Sequence, residues 1–335
     1  MTPTKTSAAD DLGGKGSARR KAEDPHSAPP AAALARRRGR RETLAGYLFL
    51  TPWCIGILLL TLGPMLVSLY LAFTDYNLFD SPKWVGLKNF REMFRDDRWW
   101  TSVDVTVKYV LIGTPLKLLF ALGVALLLVK PRKGQGFYRS AFYAPSLIGA
   151  SVSIGIVWRS IFQDDAIVDK SMSLFGWDVG GWIGDPDWML PTLITLTVWQ
   201  FGAPMVIFLA GLKQVPRELY EAAEMDGAGR WRRFRSITLP MISPVLFFNL
   251  LLEIIHSFQV FTSAVVIGGT GGSGAGGPAD SLLVYTWYLY EQGFRQMRMG
   301  YASAMAWMLM LGIGLVTVVL FKTQRGWVHY EEDAR

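Results

Sequence analysis

The sequence predicts an all-α membrane protein with six transmembrane helices, and three observations carry that prediction. Apolar residues make up 51% of the 335 and are gathered into long blocks, giving a mean hydropathy of +0.25. Three blocks (44–73, 188–212 and 301–321) contain no charged residue. A bilayer core about 30 Å thick needs roughly 20 apolar residues as a helix, and a soluble helix of that length keeps a polar face. Finally, the basic residues concentrate in alternate loops, as expected of a chain that crosses a bilayer repeatedly.

Residues 1–43 form the first element. The stretch to 35 is rich in Ala, Pro, Gly, Ser, Lys and Arg and holds almost no large apolar side chain. It cannot bury enough surface to offset its ordering entropy, so it is expected to be a disordered basic tail. A basic tail before an apolar run also resembles a secretory signal. The run from residue 44, however, far exceeds the usual apolar region of about 7–15 residues, which favours an uncleaved first span. The membrane domain, 44–325, then carries spans at 44–73, 103–129, 137–162, 188–212, 242–267 and 301–321, with a long loop at 213–241 and a tail at 326–335.

Ionisable residues interrupt three of the spans. The second contains Asp104, Lys108 and Lys117, so its start can slide by about a turn. Both lysines read as snorkelling or interface residues. The third has Arg139 and Arg159 near its ends, and the fifth has Glu253 and His256. Glu253 and His256 are three apart, share a helix face, and are expected to pair. The single cysteine, Cys54, excludes an intramolecular disulfide and reads as a buried, inert thiol. Three scattered histidines do not suggest a metal site.

The net charge of +7 raises the question of nucleic acid, but its distribution answers otherwise. Arg36, Arg37, Arg38, Arg40 and Arg41 precede the first span; Lys130, Arg132, Lys133 and Arg139 follow the second; Lys213, Arg217, Arg230, Arg232, Arg233 and Arg235 follow the fourth. Loop 163–188 has one basic residue, Lys170, against six aspartates. Positive-inside bias therefore places both termini in the cytoplasm of a plasma membrane protein. The first external loop fits imperfectly, with Lys83, Lys88, Arg91, Arg95 and Arg98 mixed among acids.

The loop between spans four and five is the most informative segment, KQVPRELYEAAEMDGAGRWRRFRSITLPMISP over 213–244. Pro216 suits the start of a helix over 217–226, Gly227 can supply the left-handed stop, and a second short helix over 230–237 is expected to end at Leu239-Pro240. Glu221, Ala222 and Ala223, then Asp226, Gly227 and Ala228, then Phe234, Ile237, Leu239 and Pro240 meet a long spaced pattern. It resembles the EAA motif of the permeases of binding-protein-dependent ABC importers, in the carbohydrate-uptake (maltose and glycerol-phosphate) branch. The likeness covers the chain from about residue 44 and extends to Gly276-Gly277-Pro278 and to 300–307; the glycine run 268–277 is longer than the pattern.

The resemblance implies a fold, a set of partners and a set of site residues. The fold would be the type I importer permease fold, and loop 213–241 the coupling helix that docks on a cytoplasmic ATPase dimer. Glu221, Ala222, Ala223, Asp226, Gly227, Ala228, Ile237, Leu239 and Pro240 would serve that docking. A second, homologous permease and an extracellular sugar-binding protein would complete the assembly in the lipid bilayer. The pocket of the maltose branch lies on the counterparts of spans four and five, which points to Trp199, Gln200, Phe258 and Gln259, with His256 and Ser257 next. An aromatic platform beside amides and hydroxyls suits a sugar or oligosaccharide.

Other readings are weaker. The glycine run is phosphate-cradle-like in composition, but no Gly-Lys-Ser/Thr follows it and no strand precedes it. No Walker sequence occurs elsewhere, so the chain is read as no enzyme, with no cofactor, and with ATP hydrolysis supplied by a separate subunit. A membrane-embedded enzyme would need a nucleophile–base set or metal cluster near one interface, and none is visible. A helix-turn-helix DNA binder at 216–240 is sterically awkward between two spans, so no nucleic-acid partner is expected. The same machinery carrying a peptide or a phosphate ester remains open, with Arg159 the one good cation for an ester.

Overall fold

The structure, a computed structural model, describes residues 46–130, 133–149, 151–163, 166–174, 176, 181–269 and 276–328. The tail at 1–43 and most of the glycine run therefore lie outside the described residues. Helices build nearly all of it. Three are long and apolar enough to cross a membrane unaided, namely α1 (Gly46–Ala72), α3 (Asp97–Leu128) and α14 (Met299–Thr323). Three further spans are bent pairs: α4 (Gln135–Ile148) with α5 (Val152–Phe162), α7 (Pro186–Trp199) with α8 (Gly202–Gln214), and α10 (Arg230–Met241) with α11 (Ser243–Phe258). Six spans result if each bent pair counts as one.

The chain divides into two units, residues 1–64 and 65–335. In the first, the apolar side chains of the span point outward, among them Phe49, Trp53 and Leu60. Cys54 is exposed there, not buried as its position in a span suggested. An apolar face of this kind suits lipid or a neighbouring helix.

In the second unit, β1 (Thr74–Asp75) and β2 (Lys83–Trp84) pair antiparallel and precede a short helix, α2 (Lys88–Met93). Asn89 donates to the carbonyls of Ala72 and Thr74, both at 2.9 Å, which seats this small subdomain. α3 begins at Asp97, earlier than the expected residue 103, because Asp96 caps it by accepting from the Arg98 N–H at 3.0 Å. The charges that fitted poorly with the loop bias are partly committed to structure: Arg98 binds Asp280 through two bonds of 2.8 Å, and Arg298 pairs with Glu92.

Two of the bends have a common cause, a proline whose missing N–H leaves a carbonyl four residues back unpaired. Pro204 cannot bond the Gln200 carbonyl, and the Ser146 hydroxyl donates to it instead at 3.0 Å; α7 and α8 meet at 44°. Pro244 cannot bond the Pro240 carbonyl, and Ser243 Oγ donates to it at 2.6 Å; α10 and α11 meet at 66°. Such local donors are what the interior of a bilayer demands.

Apolar packing forms two clusters. One gathers Tyr109, Met189, Leu193, Leu196, Trp287 and Met305; the other gathers Leu118, Leu122, Met205, Phe208, Leu212 and Ile242. On α3, on the α7–α8 span and on α11, the first cluster takes one end and the second takes the other. What lies between them is polar.

Candidate functional site

Two places answer to the sequence expectations. The first is the hairpin of α9 (Arg217–Met225) and α10. Gly227 is left-handed (φ 73°), and the Ala228 N–H reaches the Ala223 carbonyl at 2.8 Å while the Gly227 N–H reaches Glu224 at 3.0 Å. That paired pattern is a Schellman closure, which turns the chain sharply and satisfies the last carbonyls of α9. Tyr220 OH and Thr238 Oγ1 lie 2.9 Å apart, and Arg233 meets Glu224 at 3.0 Å, so the two helices are fastened side by side.

One expectation here fails. The second helix does not stop at Leu239-Pro240 but runs on to Met241. Phe234–Thr238 is wound as a π-helical turn, and the Leu239 N–H bonds the Phe234 carbonyl five residues back. The wider turn makes room for a proline that a regular helix would reject.

Glu221, Ala222, Asp226 and Gly227 are exposed on this hairpin; Ala223, Ala228, Ile237, Leu239 and Pro240 are half-buried. Met225 and Trp231 are also exposed, at 89% and 72%. Among the described residues, no ion pair or side-chain hydrogen bond engages Glu221. The motif residues thus form a small-residue face bearing two carboxylates, Glu221 and Asp226.

The second place is the polar layer between the two apolar clusters. A cavity of about 310 Å³ opens there, lined by Gln200, His256, Ser257 and Gln259 of the expected set, together with Tyr109, Lys117, Thr197 and Glu253. α11 ends at Phe258, the chain is non-helical to Phe261, and α12 (Thr262–Gly268) follows; Gln259, Val260 and Phe261 at this break also line the cavity. Gln200 sits at the other break, its side-chain amide donating to the Gly149 carbonyl at 3.1 Å.

The structure does not bring Trp199 or Phe258 to that cavity. Trp199 packs on Trp158, ring centroids 5.6 Å apart, and Phe258 lines a separate apolar hollow with Trp99 and Tyr285. Phe258 is two positions from His256, about 200° around the helix, so the two cannot face one space. Arg159 is not among the cavity's lining residues either.

Glu253 does not pair with His256, which is exposed. It pairs with Lys117, Nζ to Oε1 2.6 Å, with both side chains about nine-tenths buried (12% and 10% exposed). Lys117 is therefore no snorkelling residue, unlike Lys108, which is exposed and pairs with Asp104 on its own helix at 2.6 Å. Thr114 bonds Ser257 at 2.9 Å and Tyr109 bonds Thr197 at 2.7 Å. The sequence did hold a signal for the ion pair: a mid-span lysine in the second span and a mid-span glutamate in the fifth are costly apart and cheap together.

The family model described as "Binding-protein-dependent transport system inner membrane component" matches residues 30–325. The chain belongs to this family. It is a transport permease by family, a multi-pass component of a binding-protein-dependent system. The permease is 49% identical over 294 residues to the probable ABC transporter permease protein YesP of Bacillus subtilis, covering 87% of this chain and 94% of that one. It is 30% identical to AmyD of Thermoanaerobacterium thermosulfurigenes, a probable starch degradation products transport system permease, covering 83% and 94%. Its fold matches a chain from a bacterial alginate ABC transporter in complex with an alginate pentasaccharide-bound periplasmic protein, at a TM-score of 0.70 and 22% identity, covering 86% and 96%.

Proposed function

We propose that this permease forms half of the transmembrane pathway of an ATP-driven sugar importer, with the α9–α10 hairpin as its contact to a cytoplasmic ATPase dimer. The observation that carries the reading is the hairpin itself. Its Glu221–Ala222–Gly227 face is rigidly closed by the Schellman turn and tied by Tyr220 and Thr238, yet it stands exposed. A small-residue surface allows close approach, and a carboxylate at its edge gives a charge-assisted bond to a cation of the partner. Both termini and the hairpin would then be cytoplasmic, as the arginine-rich loops suggest.

The polar cavity would pass the cargo. Its amides and hydroxyls suit a polyhydroxylated solute, and its one ammonium, Lys117, is matched by the Glu253 carboxylate. That balance favours a neutral sugar over a phosphate ester, and the starch-product transport system among the relatives points the same way. Gln200, His256, Ser257 and Gln259 are the side chains assigned to the pathway. A second permease would close its open side and cover the bare first span. ATP-driven closure of the ATPases would draw the hairpin inward and turn the pathway outward, to receive cargo from a binding protein seated at the end of the bundle that carries Arg91 and Arg298.

Affinity purification of the tagged permease in gentle detergent, beside a Glu221→Arg variant, tests this. Recovery of an ATPase, a second permease and a binding protein is expected, with the ATPase lost from the variant. A wild-type chain that purifies without any ATPase would sink the role given to the hairpin.

A further inference from the structure

A second hollow, of about 550 Å³, lies where the last turns of α3 and α8 meet the hairpin. Five cations line it: Lys130, Lys213, Arg217, Arg230 and Arg233. No lining residue is acidic. Arg233 is paired with Glu224, whose side chain is 70% exposed and stands outside the hollow, while the other four have no ion pair among the described residues. Like charges gathered around one hollow repel, and more strongly where an apolar wall lowers the local dielectric.

The helix ends explain only part of the cluster. Lys130 and Lys213 lie at the C-terminal ends of α3 and α8, where the carbonyl end of a helix attracts cations. Arg217 and Arg230 are the first residues of α9 and α10, where the helix dipole disfavours a cation. Their placement calls for a negative charge that the described residues do not supply.

The rest of the lining indicates what carries that charge. Leu126, Val129 and Phe234 give the hollow an apolar lining as well. Leu127 and Trp231, both more than 70% exposed, adjoin the lining residues Leu126 and Arg230 in sequence, and exposed tryptophan of this kind collects at the edge of the hydrocarbon. A site that combines a cluster of cations with aliphatic side chains matches an amphiphile better than a free anion or an acidic protein surface. We propose that the hollow binds the phosphate headgroup of an anionic phospholipid from the adjoining leaflet, its glycerol and acyl chains lying along Leu126 and Val129. The lipid would brace the hairpin against α3 and α8, so that coupling depends on membrane charge; that consequence, unlike the binding, rests on the function proposed above.

The test uses the purified transporter complex, stripped of lipid in neutral detergent and followed by native mass spectrometry. Phosphatidylglycerol is expected to be retained about tenfold better than phosphatidylcholine, and a Lys130→Gln/Lys213→Gln double variant to lose most of that preference. Lys130→Arg/Lys213→Arg should restore it, which separates lost charge from lost folding, and Lys88→Gln/Arg91→Gln at the other end of the bundle should leave it intact. Equal retention of the two lipids, or a preference indifferent to the double variant, would overturn the proposal. So would displacement by inorganic phosphate at about 10 mM, which would mark a free-anion site. Lipid binding only to permease stripped of its ATPase would also overturn it and assign the cations to a protein interface. In phosphatidylcholine vesicles, adding phosphatidylglycerol should raise ATP hydrolysis severalfold for the wild type and not for the double variant. A complex that prefers phosphatidylglycerol yet never hydrolyses ATP would count against the importer reading and leave the lipid site standing.

Discussion

The ammonium of Lys117 lies 2.6 Å from the carboxylate of Glu253, joining the second and fifth spans through a contact 136 residues apart in sequence. Neither charge is tolerable alone at that depth. Lys117→Met should destabilise the fold by roughly 3–5 kcal/mol, because it strands a buried carboxylate, whereas Lys117→Met/Glu253→Leu should recover most of the loss. Thermal unfolding in detergent distinguishes them. A single variant as stable as the parent would show that the pair contributes nothing.

Ser146 has a similarly specific duty. Its hydroxyl donates to the Gln200 carbonyl at 3.0 Å and accepts from the Ala203 N–H at 3.0 Å, satisfying both sides of the break that Pro204 imposes. Ser146→Ala should cost about 1–3 kcal/mol, the penalty of a polar group left unpaired in a half-buried place. Ser146→Thr keeps the hydroxyl and should cost less. Equal losses from the two would mean that volume, not hydrogen bonding, matters at the kink.

Gly227 holds the hairpin at φ 73° with open space around the position of a Cβ. Gly227→Ala therefore meets no clash and reports backbone strain alone, about 1–2 kcal/mol. Amide hydrogen exchange should rise across 217–241 with little change in the spans. Unaltered exchange in the variant would show that the left-handed turn is not what fixes the hairpin.

The placement of the expected pathway residues makes a prediction about transport. Gln200→Ala and Gln259→Ala should each lower uptake about tenfold by removing a polar contact worth roughly 1.4 kcal/mol. Trp199→Leu and Phe258→Leu, which face packing elsewhere, should change stability more than uptake. Uptake in reconstituted vesicles, read beside melting temperature, settles the order. The reverse ranking would put the cargo beside the aromatic residues Trp199 and Phe258 of spans four and five.

What the sequence by itself determined about this protein is its architecture and its hairpin. Blocks of apolar residues and a spaced helix–glycine–helix pattern are local properties, and local physics decides them: a run of about 20 apolar residues must span, and Gly227 must turn. Local rules also misjudged some positions. Pro240 read as a stop, yet the π-helical turn from Phe234 carries the helix past it. His256 read as the partner of Glu253 because they share a face of one helix, but the partner came from another helix altogether. Only the tertiary structure decided that Lys117 points inward, that Trp199 and Phe258 turn away from the polar layer, and that Cys54 stays uncovered. The physical reason is the same in each case. Periodicity states which residues share a face, while the packing of one helix on another decides what that face meets.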